Sequence, residues 1–135
     1  MIQFYALSVL ANVLAGLVVA SEAGNGKGFF GAARKLFEEN NIRFGLGLAS
    51  LVIAFFKLLS PIEGDVPVIG DFLPVIAGLA TGGILLFDFF RGSSDIRSPT
   101  VDRIESGIVA YRKYIGLGAA LTGILHFFMP TVPIF

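Results

Sequence analysis

The chain of 135 residues has no cysteine, no tryptophan and a single histidine, and only 15% of its positions are charged. Each shortage excludes something. Without cysteine there is no disulfide framework, no thiol catalysis and no Cys-ligated metal. One histidine leaves no workable ligand set for zinc or haem, so neither a metal nor a cofactor is expected. Ten Lys and Arg are balanced by ten Asp and Glu, and no basic excess speaks for nucleic acid. An ordinary soluble domain has about 25% charged and about 45–50% apolar residues, which excludes that class too. What the chain does have is apolar mass: 55% hydrophobic residues and a mean hydropathy of +0.81. That content excludes disorder, and the length is too short for two soluble domains. The composition is that of a small polytopic membrane protein.

Four charge-poor stretches place the expected spans at about residues 2–21, 43–60, 73–90 and 113–129. Each approaches the roughly 20 residues that a helix needs to cross about 30 Å of hydrocarbon. Lys57 interrupts the second, Asp71 and Asp88 bound the third, and Pro130 ends the fourth. Val18, Val19 and Ala20 would suit a signal peptidase, but Met1 to Phe4 lack the positive start of a signal peptide. The first stretch is therefore expected to remain as a span.

Orientation follows from the cations. Lys27, Arg34, Lys35 and Arg43 lie between the first two spans, and Arg91, Arg97, Arg103, Arg112 and Lys113 between the last two. The middle connection carries only the acids Glu63, Asp65 and Asp71. Nine of the ten basic residues thus fall on one side, which the positive-inside rule makes cytoplasmic. Both termini and the acidic loop at 61–71 should face outward, in a plasma or inner membrane.

The chain also resembles itself. Val9 to Gly16 can be laid over Val75 to Gly82, and Glu22 over Asp88. Phe44 to Ala49 (FGLGLA) lies over Ile115 to Ala120 (IGLGAA), Lys57 to Pro61 over His126 to Pro130, and Val66 to Ile69 over Val132 to Phe135. The matches keep their order at offsets of 66 to 71 residues. They suggest a duplicated two-span hairpin, with copies at 1–71 and 72–135. An even number of spans preserves orientation, so the copies would run in parallel about an axis along the membrane normal. The expected class is an all-α membrane protein of four transmembrane helices arranged as two hairpins.

The basic connections are expected to be amphipathic helices at 28–39 and 99–112. Phe29, Phe30, Ala33, Leu36 and Phe37 share one face, opposite Arg34, Lys35, Glu38 and Glu39. Ser98 can cap a helix with Pro99 at its first position. Val101, Ile104, Ile108 and Val109 would turn inward from it, and Asp102, Arg103, Glu105 and Arg112 outward. That helix can run unbroken into the fourth span.

Ionisable groups within spans are costly and are functional candidates by default. Lys57 and His126 occupy matching places near the outer ends of the second and fourth spans. Together they could hold an anionic lipid headgroup or an acidic substrate; alternatively Lys57 snorkels to the interface and His126 packs locally. Glu22 and Asp88 are the matching boundary charges at the other side, with Arg91 three residues on from Asp88 and able to pair with it. Asn12 suits an interhelical hydrogen bond. Gly45, Gly47, Gly78, Gly82, Gly116 and Gly118 offer small-residue packing surfaces, Gly78 and Gly82 at the GxxxG spacing. Paired phenylalanines near span ends (Phe55 and Phe56, Phe89 and Phe90, Phe127 and Phe128) suit lipid-facing or partner-facing ridges.

Other motifs are weaker. Gly24 to Gly28 lacks the spacing of a phosphate loop, and Glu63, Asp65 and Asp71 lack that of an EF-hand. Ser60 to Glu63 with Asp65 to Asp71 resembles part of a signature of the small YkvA-like membrane proteins. The likeness spans about a dozen residues and lacks the closing pair of acids, so no role is carried over. No catalytic residue is expected. The reading is a non-enzymatic accessory, scaffold or assembly component whose partners are the lipid bilayer and other membrane subunits or further copies of itself. The alternative is a small homo-oligomeric channel or transporter with a site near Lys57 and His126.

Overall fold

The computed structural model describes residues 2–22, 27–59, 72–93, 95 and 97–129. The acidic loop at 61–71, Pro130 and the repeat match at 132–135 lie outside these. The described residues form five helices: α1 (Ile2–Glu22), α2 (Gly28–Leu36), α3 (Asn40–Leu59), α4 (Phe72–Ser93) and α5 (Pro99–Phe128). α1, α3, α4 and α5 are long and apolar enough to cross a membrane.

Local chemistry sets several of the boundaries. Ser98 caps α5, its Oγ accepting from the Val101 amide at 3.2 Å, and Pro99 follows at a position where a missing N–H costs nothing. The expected amphipathic stretch at 99–112 and the fourth span form one continuous helix of 30 residues, about 45 Å long at 1.5 Å per residue. α2 opens on Gly28 at φ +68°, a conformation glycine adopts without Cβ strain. It ends at Leu36, short of the expected residue 39.

The packing follows from the small residues. α1 packs most extensively against α5, and α3 against α4; α1 and α4 meet across the centre, while α3 and α5 occupy opposite corners without packing on each other. A Cβ at Gly16 would stand 2.6 Å from both the Gly116 carbonyl oxygen and the Ala120 nitrogen. One at Gly82 would stand 2.8 Å from the Gly47 oxygen. Both seams are backbone against backbone, an approach that only small residues permit. Gly78 faces Ala54 and the Asn12 side chain.

Two of the expected packing glycines do not pack. A Cβ at Gly45 or Gly118 would meet nothing within 4 Å. The FGLGLA and IGLGAA segments offer glycines two residues apart, so the two of each pair point about 160° away from one another around the helix at 100° per residue. Of these four only Gly47 and Gly116 face a neighbouring helix.

The interior is narrow. Ala15, Val18, Val19, Ile84 and Leu85 form its apolar core, with Phe37, Leu46, Ile108 and Ile115 packed against it. Large apolar side chains instead point outward, among them Leu10, Phe55, Leu59, Phe90, Leu121 and Phe128. A soluble monomer seldom tolerates apolar patches of this extent. Small residues inside and large ones outside are compatible with a lipid solvent.

Candidate functional site: two polar clusters at opposite ends of the bundle

The first cluster joins the two helices that do not pack. Lys57, in the last turn of α3, places its Nζ 2.6 Å from Nε2 of His126, in the last turn of α5. Both are buried, Lys57 at 6% exposure and His126 at 1%. Lys57 therefore does not snorkel outward. Two features of the fold accommodate a buried ammonium here. Helix C-termini carry partial negative charge, and two of them converge at this end. Tyr5 of α1 lies beneath, its ring 4.8 Å from the imidazole and 5.8 Å from the Lys57 ammonium. The Tyr5 hydroxyl donates to the His126 and Phe127 carbonyls at 2.6 and 3.0 Å, satisfying oxygens that the end of α5 leaves open.

The second cluster lies at the opposite end. Arg43, in the first turns of α3, donates to Glu22 in the last turn of α1, and its Nε donates to the Phe37 carbonyl at 2.6 Å. Arg112 of α5 donates to Asp88 of α4. Asp88 also lies within electrostatic reach of Glu22 and Arg43, so the four charges act as one neutral quartet. The pairing has a local cause. A carboxylate near a helix C-terminus and a guanidinium near an N-terminus each oppose the helix dipole, so Glu22 and Arg43 compensate one another.

This arrangement corrects two expectations. Asp88 pairs with Arg112 rather than Arg91, which reaches Glu105 at 2.5 Å and Asp102 at 3.2 Å. Arg112 turns inward, 9% exposed, while Ile104 and Val109 turn outward. A half-buried Asp88 demands a counter-charge more strongly than two aliphatic side chains demand cover in an apolar setting. Arg91, Gly92, Asp95, Arg97 and Glu105 line an open polar cleft of about 370 Å³ beside it.

Between the clusters lies a row of small polar groups. Asn12 Nδ2 donates to the Pro74 carbonyl at 3.0 Å, joining α1 to α4, and Thr81 bonds back to Ala77. Ser50 is 1% exposed, and its Oγ has no hydrogen-bond partner among the described residues. This row stops at the apolar core before the quartet.

Sequence reasoning named Lys57, His126, Glu22 and Asp88 but missed Tyr5, Arg43 and Arg112. A signal for the arginines was present: Arg43 and Arg112 each stand fourteen residues before Lys57 and His126. That spacing sets a cation near each end of a helix about 21 Å apart. Among the described residues no group of three or more His, Asp or Glu could hold a metal ion.

A sequence model of a protein family matches residues 1–126. The chain belongs to that family. It is also similar to an uncharacterized protein of Treponema pallidum (strain Nichols), at 30% identity over 98% of this chain and 98% of that one. No solved structure matches it.

Proposed function

We propose that the protein is a non-enzymatic integral membrane component that acts as an accessory, scaffold or assembly subunit. The observation that carries this reading is the closure of the bundle axis. Among the described residues Ala15, Val18, Val19, Ile84 and Leu85 form an apolar core between the two polar clusters, and Gly16 with Gly116 and Gly47 with Gly82 bring the helices into backbone contact beside it. A protein with a closed interior and a broad apolar exterior is suited to packing against other helices. The two halves are copies of one hairpin in this reading. Glu22 with Arg43 and Asp88 with Arg112 supply equivalent pairs, and a constant offset of 69 relates Arg43, Gly47 and Lys57 to Arg112, Gly116 and His126. By the distribution of cations, the quartet end faces the cytoplasm and both termini face outward.

α2 extends the surface available to partners. Phe29 and Leu36 stand 67% and 73% exposed beside the exposed cations Arg34 and Lys35. Reversing Arg34, Lys35 and Arg103 together to Glu should reduce the yield of co-purifying subunits at least several-fold without changing the fold by circular dichroism. An unchanged set of partners would contradict the proposal.

The contact between Lys57 and His126 favours a second reading, a small homo-oligomeric channel or transporter whose path runs between subunits. Reconstituted liposomes should then pass an ion or solute, and no flux across a broad panel would exclude it.

A further inference from the structure

We infer that α5 has a second conformation, broken at Ser106 and Gly107, in which its first turns are set off from the rest as α2 is from α3. The inference rests on the equivalence of the two hairpins and not on the accessory role. The offset of 69 that relates Arg43 to Arg112 also lays Phe37 over Ser106 and Glu38 over Gly107. The two copies differ there. In the first, the chain leaves the helix at Phe37, and the Phe37 carbonyl accepts from Arg43 Nε at 2.6 Å. In the second, the helix runs on, and Ser106 lies about 9 Å of axial rise from Arg112. Arg112 Nε is left buried with no hydrogen-bond partner among the described residues. A buried donor without an acceptor is costly, more so on a charged group. A break at Ser106 would free the acceptor that the counterpart arginine uses.

The break falls where α5 resists it least. Glycine weakens a helix interior relative to alanine, and a Cβ at Gly107 would meet nothing within 4 Å. Ser106 Oγ bonds back to the Asp102 carbonyl at 2.8 Å, a contact that favours bending. Both residues are exposed, so water can take up the backbone groups that a break opens. Of residues 99–107 only Val101 and Glu105 are partly covered. Ile108 and Ile115, which pack against the apolar core, lie beyond the break. Arg91 of α4 straps the first turns in line, reaching Glu105 at 2.5 Å and Asp102 at 3.2 Å. Those acids are 43% and 59% exposed, so salt screens the strap.

The chain lacks cysteine, so spin labels at Thr100→Cys and Leu121→Cys, both exposed, read the straightness of α5 directly. In nanodiscs at low salt the pair should give one distance of about 32 Å, the axial rise across residues 100–121. Arg91→Met should add a defined shorter distance, as should high salt without that substitution. Gly107→Ala, introduced beside Arg91→Met, should remove the shorter distance. Arg112→Lys keeps a cation for Asp88 but has no Nε, and beside Arg91→Met it should remove the shorter distance too. A single long distance in Arg91→Met would overturn the proposal. So would a shorter population that persists with Arg112→Lys, because fraying of a helix end has no need of Nε. Neither result touches the accessory reading, which co-purifying subunits test separately.

Discussion

Replacing Gly16 or Gly116 with valine should collapse the bundle. At Gly16 the new Cβ alone would stand 2.6 Å from backbone atoms of the neighbouring helix, before the two methyl groups are placed. Backbone cannot rotate aside as a side chain can. α1 and α5 would have to separate along their whole seam, the most extensive in the molecule. Overpacking costs about 1–3 kcal/mol where side chains can yield and more where they cannot. We expect a loss of about 3 kcal/mol or more, read as a leftward shift of the SDS unfolding curve and loss of a monodisperse peak in mild detergent. The matched controls are Gly45→Ala and Gly118→Ala. Each adds a Cβ that meets nothing within 4 Å, and replacing glycine with alanine in a helix favours the helix by up to about 1 kcal/mol. These two should unfold at the wild-type concentration or later. Equal damage at all four positions would mean that the seam does not run where these contacts place it.

Arg112→Met should be the second damaging substitution. Arg112 and Asp88 have side-chain exposures of 11% and 26%, so solvent screens the pair little. Removing the arginine leaves a half-buried carboxylate with only the more distant Arg43, a loss of about 2–3 kcal/mol, below the roughly 3–5 kcal/mol of a fully buried pair. The deficit arises from the abandoned charge and not from the missing attraction. Asp88→Leu combined with Arg112→Met should therefore recover most of the stability, since replacing both partners with apolar residues is often neutral or favourable. Arg91→Met should cost far less, because its acidic partners Asp102 and Glu105 are substantially exposed. A double variant as unstable as Arg112→Met alone would contradict this account of the quartet.

Much of this architecture was legible in the chain because charge is scarce in it. Where a helix interior has few polar residues, those that bound it fix its ends, and α1, α3 and α4 begin and end within a few residues of the expected limits. α5 was foreseeable as one helix because neither Pro99 nor its glycines prevent continuation from a capped start. The meeting of Lys57 and His126 was foreshadowed by their matching distance from a proline. Rotation about a helix axis was harder to read. FGLGLA and IGLGAA invite a glycine-on-glycine overlay, yet only a neighbouring helix decides which glycine faces inward, and Gly47 rather than Gly45 does. The partner of Asp88 was misassigned for a related reason. Arg91 lies close in sequence, whereas Arg112 arrives from α5 through tertiary packing alone. Tyr5 carries no charge, and nothing in an apolar first span marks it as the floor beneath Lys57 and His126.

The central claim is that this closed bundle works by holding other membrane subunits, and native mass spectrometry of the tagged protein tests it most directly. Gently extracted from its own membrane, the protein should fly with a foreign subunit at fixed stoichiometry. Reversal of Arg34, Lys35 and Arg103 should release that subunit. A defined assembly of this chain alone, unchanged by the reversal, would contradict the claim and favour a homo-oligomeric channel or transporter.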